Sequence, residues 1–296
     1  MFILQDDSLL ALFCSVDDFC QIHLPLLQAH CLPAKGKRNR ARSLCQSEII
    51  TLLIAFQQSH FRDFKAFYLG FVCQFWRAAF PKLVSYNRFI EYVPSTLALI
   101  YAYLKSLLGN CQGILFLDST ALAVCHNRRI PQHQVFKESA KRGKTSVDWF
   151  FGFKLHLAIN ERGELVAIVF TTGNVHDITA VPALLLGLSG KVYADKGYLS
   201  QPLRESLSAQ GIELITKLRK NMKSRSLSAV DEYLLKKRSF VETVIDQIKN
   251  IAQIEHTRHR SGTGFIANLL AALVAYCRQP KKPSLNLRVA IPSVSA

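Results

Sequence analysis

The hydrophobic period of the chain changes near Gly109–Gly113, and this change limits the possible folds more than any other feature. Before it, apolar residues recur at mixed spacings of three and four, the helical pattern. Residues 1–31 read this way. A second helical run reaches Gln58, with Ser43 or Ser47 placed to cap it, and a third covers 62–75 after a break. Two more helices are expected over 87–93 and 96–108, parted by Pro94. The pair ending at Gln58 and starting at 62 suits a helix-turn-helix that touches DNA, and equally a plain helical bundle.

After the change the grammar is that of strands. GILFLDSTALAVCH is apolar and rich in β-formers, and in DWFFGFKLHLAI (148–159) Phe151, Phe153, Leu155 and Leu157 share one face. NERG (160–163) is a turn, and ELVAIVFTTG (164–173) is a third strand, so the three form an antiparallel meander. Next come DITAVPALLLGL as helix, KVYAD as a buried strand, SQPLRESLSAQG as a helix stopped by Gly211, and IELITKL as a strand. Strand–helix alternation implies parallel pairing. Helices near 228–236, 239–260 and 263–278 complete the pattern. A meander followed by parallel strands with helices is an α/β, RNase H-like layout. The expected division is an all-helical domain over 1–108, an RNase H-like catalytic domain over 109–278, and a flexible Pro-containing tail over 279–296.

Charge narrows the partners. The 37 Lys and Arg outnumber the 21 Asp and Glu, giving a formal net charge of +16, and apolar residues at 49% supply enough core to exclude disorder. Residues 1–110 hold only 11 of the cations and 7 of the acids, so the excess lies mainly beyond them. Such a chain meets a polyanion, either nucleic acid or an acidic membrane surface. Its longest apolar stretch, 265–277, is read as too short to span a bilayer, and Asp6 and Asp7 stand where a secretion signal would carry cations, so no membrane is expected. The eight cysteines show no C-x-x-C spacing, which disfavours zinc and indicates a reducing, cytoplasmic setting.

Three acids stand out. Asp118 closes ILFLD and Asp195 closes VYAD, and strand ends face the crevice where open α/β sheets place ligands. Two converging carboxylates repel each other unless a divalent cation sits between them, and oxygen donors suit Mg²⁺, with Mn²⁺ as the alternative. Asp195 could instead cap the following helix. Glu242 lies in RSFVETVIDQIKNIA, where Arg238, Glu242, Asp246 and Lys249 fall within an arc of roughly 80° and Val241, Val244, Ile248 and Ile251 oppose them. Alone, that stripe reads as a solvated face. Together with the two aspartates in a basic chain, it fits two-metal phosphoryl transfer on nucleic acid.

These residues resemble the DDE transposases of bacterial insertion sequences, most closely the family numbered 982. The likeness runs through SEIITLLIAFQQS, FKAFYLGFV, FPKLVSYNRFIEYVP, LDST, CHNRRI, VFKESAKRGKTSVDWFFGFKLHLAINERGEL, TTGNVHD, ADKGY and KKRSFVETVIDQIK. The resemblance implies an RNase H-like domain whose Asp118, Asp195 and Glu242 bind Mg²⁺. It also implies double-stranded DNA as partner, both the element's terminal inverted repeats and the target, and a homodimer in the synaptic complex. A related signature of Tyr, Arg, Glu and Lys matches at Arg238, Glu242 and Lys249, but Leu235 holds the tyrosine position and Tyr233 is off register. Asn174, His176 and Asp177 resemble a motif adjacent to the site.

Basic clusters flank the three acids. Lys137, Lys141, Arg142 and Lys144 lie between the first two strands, and Lys217, Arg219, Lys220, Lys223 and Arg225 follow the last one. Lys236, Lys237 and Arg238 precede the glutamate helix, and Arg258, His259 and Arg260 follow it. They would neutralise DNA phosphates. His126, His133 and His156 read as structural or DNA-touching. Phe150 and Phe151 read as core, and Trp149 is open to a base-stacking role. A nuclease of the same fold and an inactive DNA-binding relative are the competing functions.

Overall fold

The computed structural model describes residues 6–30, 42–59, 61–145, 148–217, 227–252, 254–255, 259–285 and 287. The chain forms two compact units: 1–107 with 131–137 and 247–279, and 108–130 with 138–246 and 280–296. This differs from the division read from the sequence, which placed 109–278 in one domain. The reason is the apolar helix Gly262–Cys277, whose buried side chains pack among the early helices and not on the sheet.

The first unit contains α1 (Asp6–His30), α2 (Gln46–Gln58), α3 (Phe64–Phe75, π-helical over Phe67–Val72), α4 (Tyr86–Tyr92) and α5 (Leu97–Ser106). Leu9, Leu12, Val16 and Cys20 recur at helical spacing and bury α1 against α2 and α5. The Asp7–Leu27 stretch is nonetheless long and apolar enough to cross a membrane, which corrects the expectation that no stretch was. Phe56, Phe64, Phe67 and Trp76 form an aromatic core between α2 and α3. The basic residues Lys35, Lys37, Arg38 and Arg40 lie outside the described residues.

The second unit is built on one mixed sheet: β1 (Ile114–Cys125), β2 (Lys141–Lys144), β3 (Trp149–Ile159), β4 (Leu165–Thr172), β5 (Gly190–Ala194) and β6 (Ile212–Thr216). β1, β3 and β4 pair antiparallel in that order, and β5 and β6 extend the sheet in parallel from the other side of β1. β2 pairs with the start of β3, on the edge that β4 uses further along. Buried Asn160 makes the β3–β4 turn, its Oδ1 accepting the N–H groups of Arg162 and Glu164, each at 3.0 Å. The Leu285 N–H donates to the Glu161 carbonyl at 2.9 Å, so this part of the expected flexible tail is tied to the turn; 288–296 lie outside the described residues.

Two helices cover one face of the sheet: α6 (Asp177–Leu184) and α7 (Gln201–Ser208), which meet Leu115, Leu117, Val192, Ala194 and Leu214 in an apolar core. α8 (Ala229–Lys237) and α9 (Phe240–Asp246) follow β6, and Phe240 packs on Phe116 from the opposite face. The single helix expected over 239–260 is interrupted. It becomes π-helical over Gln247–Ile251, where the Ala252 N–H reaches back five residues to the Gln247 carbonyl. The wider turn keeps Ile248 and Ala252, four apart, both buried. α10 (Gly262–Cys277) closes the helical unit. The second unit is mixed α/β and compatible with an RNase H-like domain.

Candidate functional site

Side-chain alternation along β1 creates the site. Leu115 and Leu117 enter the apolar core, so Phe116 and Asp118 project from the other face. Asp118 is not the strand's end, as the sequence reading had it. β1 runs on to Cys125 because Ser119, Thr120 and Ala121 remain paired with β3. What ends near Asp118 is the pairing with β5, whose last matched pair is Phe116 with Tyr193. Asp118 and Asp195 each lie two residues beyond that last pair. Tyr193 stacks on Phe116, and Asp195 keeps an extended backbone two residues on. Asp195 stands at the N-cap position of the short turn Lys196–Tyr198 without a side-chain cap bond, and it is Ser200 that caps α7, accepting the Leu203 N–H.

α9 brings the third acid, and the turn between α8 and α9 brings a cation. Arg238 donates from Nη1 to Asp118 Oδ2 at 3.3 Å, and its Nη2 lies 3.7 Å from Glu242 Oε1. The Ser119 N–H holds Asp118 Oδ1 at 2.9 Å. Asp118 and Arg238 side chains are only 22% and 15% exposed, whereas that of Glu242 is 66% exposed. Burial pushes the Asp118 carboxyl above the usual carboxylate range. The Arg238 charge and the Ser119 N–H oppose that rise, and Glu242 adds to it.

Sequence reasoning passed over Tyr198. Its N–H returns to the Asp195 carbonyl at 3.0 Å, and its phenol is buried. Burial, then the charges of Asp118 and Asp177, raises its pKa. Asp231 was also passed over. It takes both Lys191 and Tyr193 from β5, along with Ser228, and so anchors α8 to the sheet. The Ser-x-x-Asp spacing at the start of α8 was the available signal, since the Ser228 hydroxyl caps the Asp231 N–H.

The Asn174–Asp177 segment serves the other face. His176 caps α6 through its Nδ1, and Asn174 Oδ1 accepts from Thr172. Asp177 takes Lys154 Nζ at 2.9 Å and lies 3.9 Å from Nδ1 of buried His156, whose Nε2 meets Thr171 Oγ1. Burial lowers the His156 pKa, Asp177 opposing and Lys154 assisting.

The expected DNA contacts belong to several separate segments. Lys141, Arg142 and Lys144 are exposed on β2, and Lys217 is exposed after β6. Lys220, Lys223, Arg219, Arg225 and Arg258 lie outside the described residues. Lys249 belongs to the helical unit, where it pairs with Glu255 at 3.1 Å. Leu235 is buried, and exposed Tyr233 lies under Lys237.

Among the described residues, no three His, Cys, Asp or Glu side chains stand close enough to hold a metal ion. The donor chemistry still fits a hard divalent cation. Asp118 is a part-buried carboxylate with one backbone donor, and Arg238 supplies positive charge between Asp118 and Glu242. Residues 108–262, just over half of the chain, match the family described as Transposase DDE domain.

Proposed function

The chain belongs to the transposase DDE-domain family, and we propose that it is the DNA transposase of a bacterial insertion sequence in the family numbered 982. It binds the element's terminal inverted repeats, cleaves the DNA at their ends, and joins the exposed 3′-hydroxyls to target DNA. The observation that carries this reading is the part-buried Asp118, whose pKa burial raises, held by an Arg238 that also reaches toward Glu242.

Asp118, Asp195 and Glu242 would hold the divalent cations, Mg²⁺ or Mn²⁺. Bound there, the cations supply an activated oxygen nucleophile and charge neutralisation at the leaving oxygen. The residues of the chain do the positioning. The Ser119 N–H fixes one oxygen of Asp118 and leaves the other toward Arg238. Without a cation, Arg238 provides the counter-charge that a buried carboxylate needs. Once released from Asp118, its planar fork is suited to a phosphate oxygen pair. Glu242, exposed on α9, has room to turn inward. Lys141, Arg142, Lys144, Lys217, Lys220, Lys223 and Lys249 neutralise backbone phosphates, and a homodimer pairs the two ends.

The test is a cleavage and strand-transfer assay on duplexes carrying the DNA that flanks the gene. Cleavage should require Mg²⁺ or Mn²⁺ and vanish in Asp118→Asn and Asp195→Asn. Pre-cut ends should join to a labelled target. Cutting without joining would make the protein a nuclease, and full activity of either variant would remove the carboxylate mechanism.

A further inference from the structure

The chain has two tryptophans, and they sit in opposite surroundings. Trp76 is buried in the aromatic core of the helical unit. Trp149, the first residue of β3, is 55% exposed. A lone exposed indole needs no explanation, but this one has ordered neighbours. In the β2–β3 pairing, Lys144 lies opposite Trp149 and Arg142 lies opposite Phe151. Residues directly opposite in an antiparallel pair project from the same face, so Arg142, Lys144 and Trp149 stand together. The Lys144 ammonium is 5.8 Å from the indole centroid. Phe151 is buried beside them, and Asn127 Nδ2 pins the Trp149 carbonyl at 2.7 Å. The adjacent acid, Asp148, accepts the Trp149 N–H on Oδ1 at 2.6 Å.

This face is also the face of Asp118. The β1–β3 register pairs Asp118 with Leu157, eight residues along β3 from Trp149. An even separation keeps both on one side of the sheet, roughly 26 Å apart along the strand.

An accessible aromatic ring flanked by cations complements a ligand that offers flat π faces and negative charge together. Single-stranded DNA does so, whereas an intact duplex hides its base faces. We propose that Trp149, Arg142 and Lys144 form a platform on which an unpaired DNA base stacks while the two cations meet its phosphates. Taking the nucleic acid as DNA rests on the transposase reading. The binding itself does not require that the carboxylates work.

The two tryptophans make the test direct. The full-length protein is titrated with oligo-dT and with a blunt duplex of equal length, following indole emission and its quenching by acrylamide. Oligo-dT should quench the exposed indole and shield it from acrylamide, leaving buried Trp76 unchanged. Trp149→Ala should weaken oligo-dT binding roughly 5- to 150-fold, the range for loss of one stacked base, with duplex binding little changed. Trp149→Phe should keep most of the affinity. Arg142→Gln with Lys144→Gln should lower the magnitude of the salt slope for oligo-dT by about 1.4. Unmoved emission of the native protein at saturating oligo-dT, or equal binding by Trp149→Ala, overturns the platform. Because the native protein carries the emission test, a variant that failed to fold would not rescue the idea. Quenching by oligo-dT in a protein that never cleaves DNA would sustain the platform and defeat the transposase reading alone.

Discussion

Asp231 and Asp118 lie on the same face of one sheet and have opposite surroundings. Both Asp231 oxygens are occupied: Lys191 at 2.8 and 3.1 Å, Tyr193 at 2.7 Å and Ser228 at 2.6 Å. Burial alone would raise its pKa, but these donors outweigh it and hold the carboxyl at about 2. Asp118 has one backbone N–H and a guanidinium at 3.3 Å, and there burial prevails. The difference separates an acid used to hold the structure from one short of positive charge. The second kind belongs at a functional site, where the missing charge arrives with a ligand.

The largest effect expected from this contrast is on chemistry. Asp118→Asn should cut DNA cleavage by at least about 10³-fold, as expected when a group acting at the reacting atoms is lost. Its melting temperature should equal or exceed that of the native protein. Asp118 has a raised folded pKa, so the stability it contributes is present below its unfolded pKa and lost as pH rises through the folded value. At neutral pH its charge is therefore a burden that asparagine removes. A marked fall in thermal stability would place Asp118 in the same class as Asp231.

Asp231→Ala should do the reverse. Loss of an acid that satisfies a buried tyrosine and a lysine costs about 2–4 kcal/mol, or roughly 5–15 °C in melting temperature for a unit of this size. Asp231→Asn should cost less and should flatten the acid limb. The folded pKa of Asp231 is depressed, so its contribution is present above the unfolded value and lost as pH falls toward about 2. Melts between pH 4 and 2 would show the native protein losing stability more steeply than the asparagine variant; parallel curves would refute the assignment.

The contrast also marks what a sequence can and cannot convey. Alternation in Phe151–Leu157 makes β3 readable, and the strand–helix rhythm from 177 to 216 makes β5 and β6 readable, because these patterns are local. The end of β1 was misplaced because the polar Ser119–Thr120 pair breaks the apolar run, while the pairing with β3 that continues the strand is tertiary. Asp118 and Asp195 could be singled out from their positions after apolar runs. Asp231 could not be matched with its partners, since Lys191 and Tyr193 lie 40 and 38 residues earlier. That Asp118 and Asp195 each follow the last β1–β5 pair by two residues depends on a register that neither strand encodes alone. Lys249 follows Glu242 at the family's spacing, yet it belongs to the other compact unit, where its ammonium is paired with Glu255.

Arg238 allows a finer comparison of the two acids. Arg238→Gln should cost about 1–2 kcal/mol without divalent ions, because Asp118 loses its main counter-charge. Adding MnCl₂ should then raise the variant's melting temperature more than that of the native protein, since the guanidinium no longer competes for Asp118. Cleavage should fall about 10- to 100-fold, through loss of a phosphate contact. Arg238→Lys should restore part of the stability and little of the cleavage, because an ammonium lacks the planar fork. A smaller MnCl₂ shift in Arg238→Gln than in the native protein would show that the guanidinium does not stand in for the cation.

Glu242 should give the smallest change in stability. Its side chain is 66% exposed, and its one described ion pair, with Arg238 four residues earlier, is 3.7 Å long. Exposed pairs of this kind contribute about 0.3–0.5 kcal/mol. Glu242→Gln should therefore stay within about 0.5 kcal/mol of the native protein while cleavage falls with the other two acids. That combination, strong on chemistry and silent on folding, is what a cation ligand needs if it must turn inward only when the site is loaded. A stability loss above about 1 kcal/mol would instead mean that Glu242 holds Arg238 in place, and its role would then be structural, as Asp231's is.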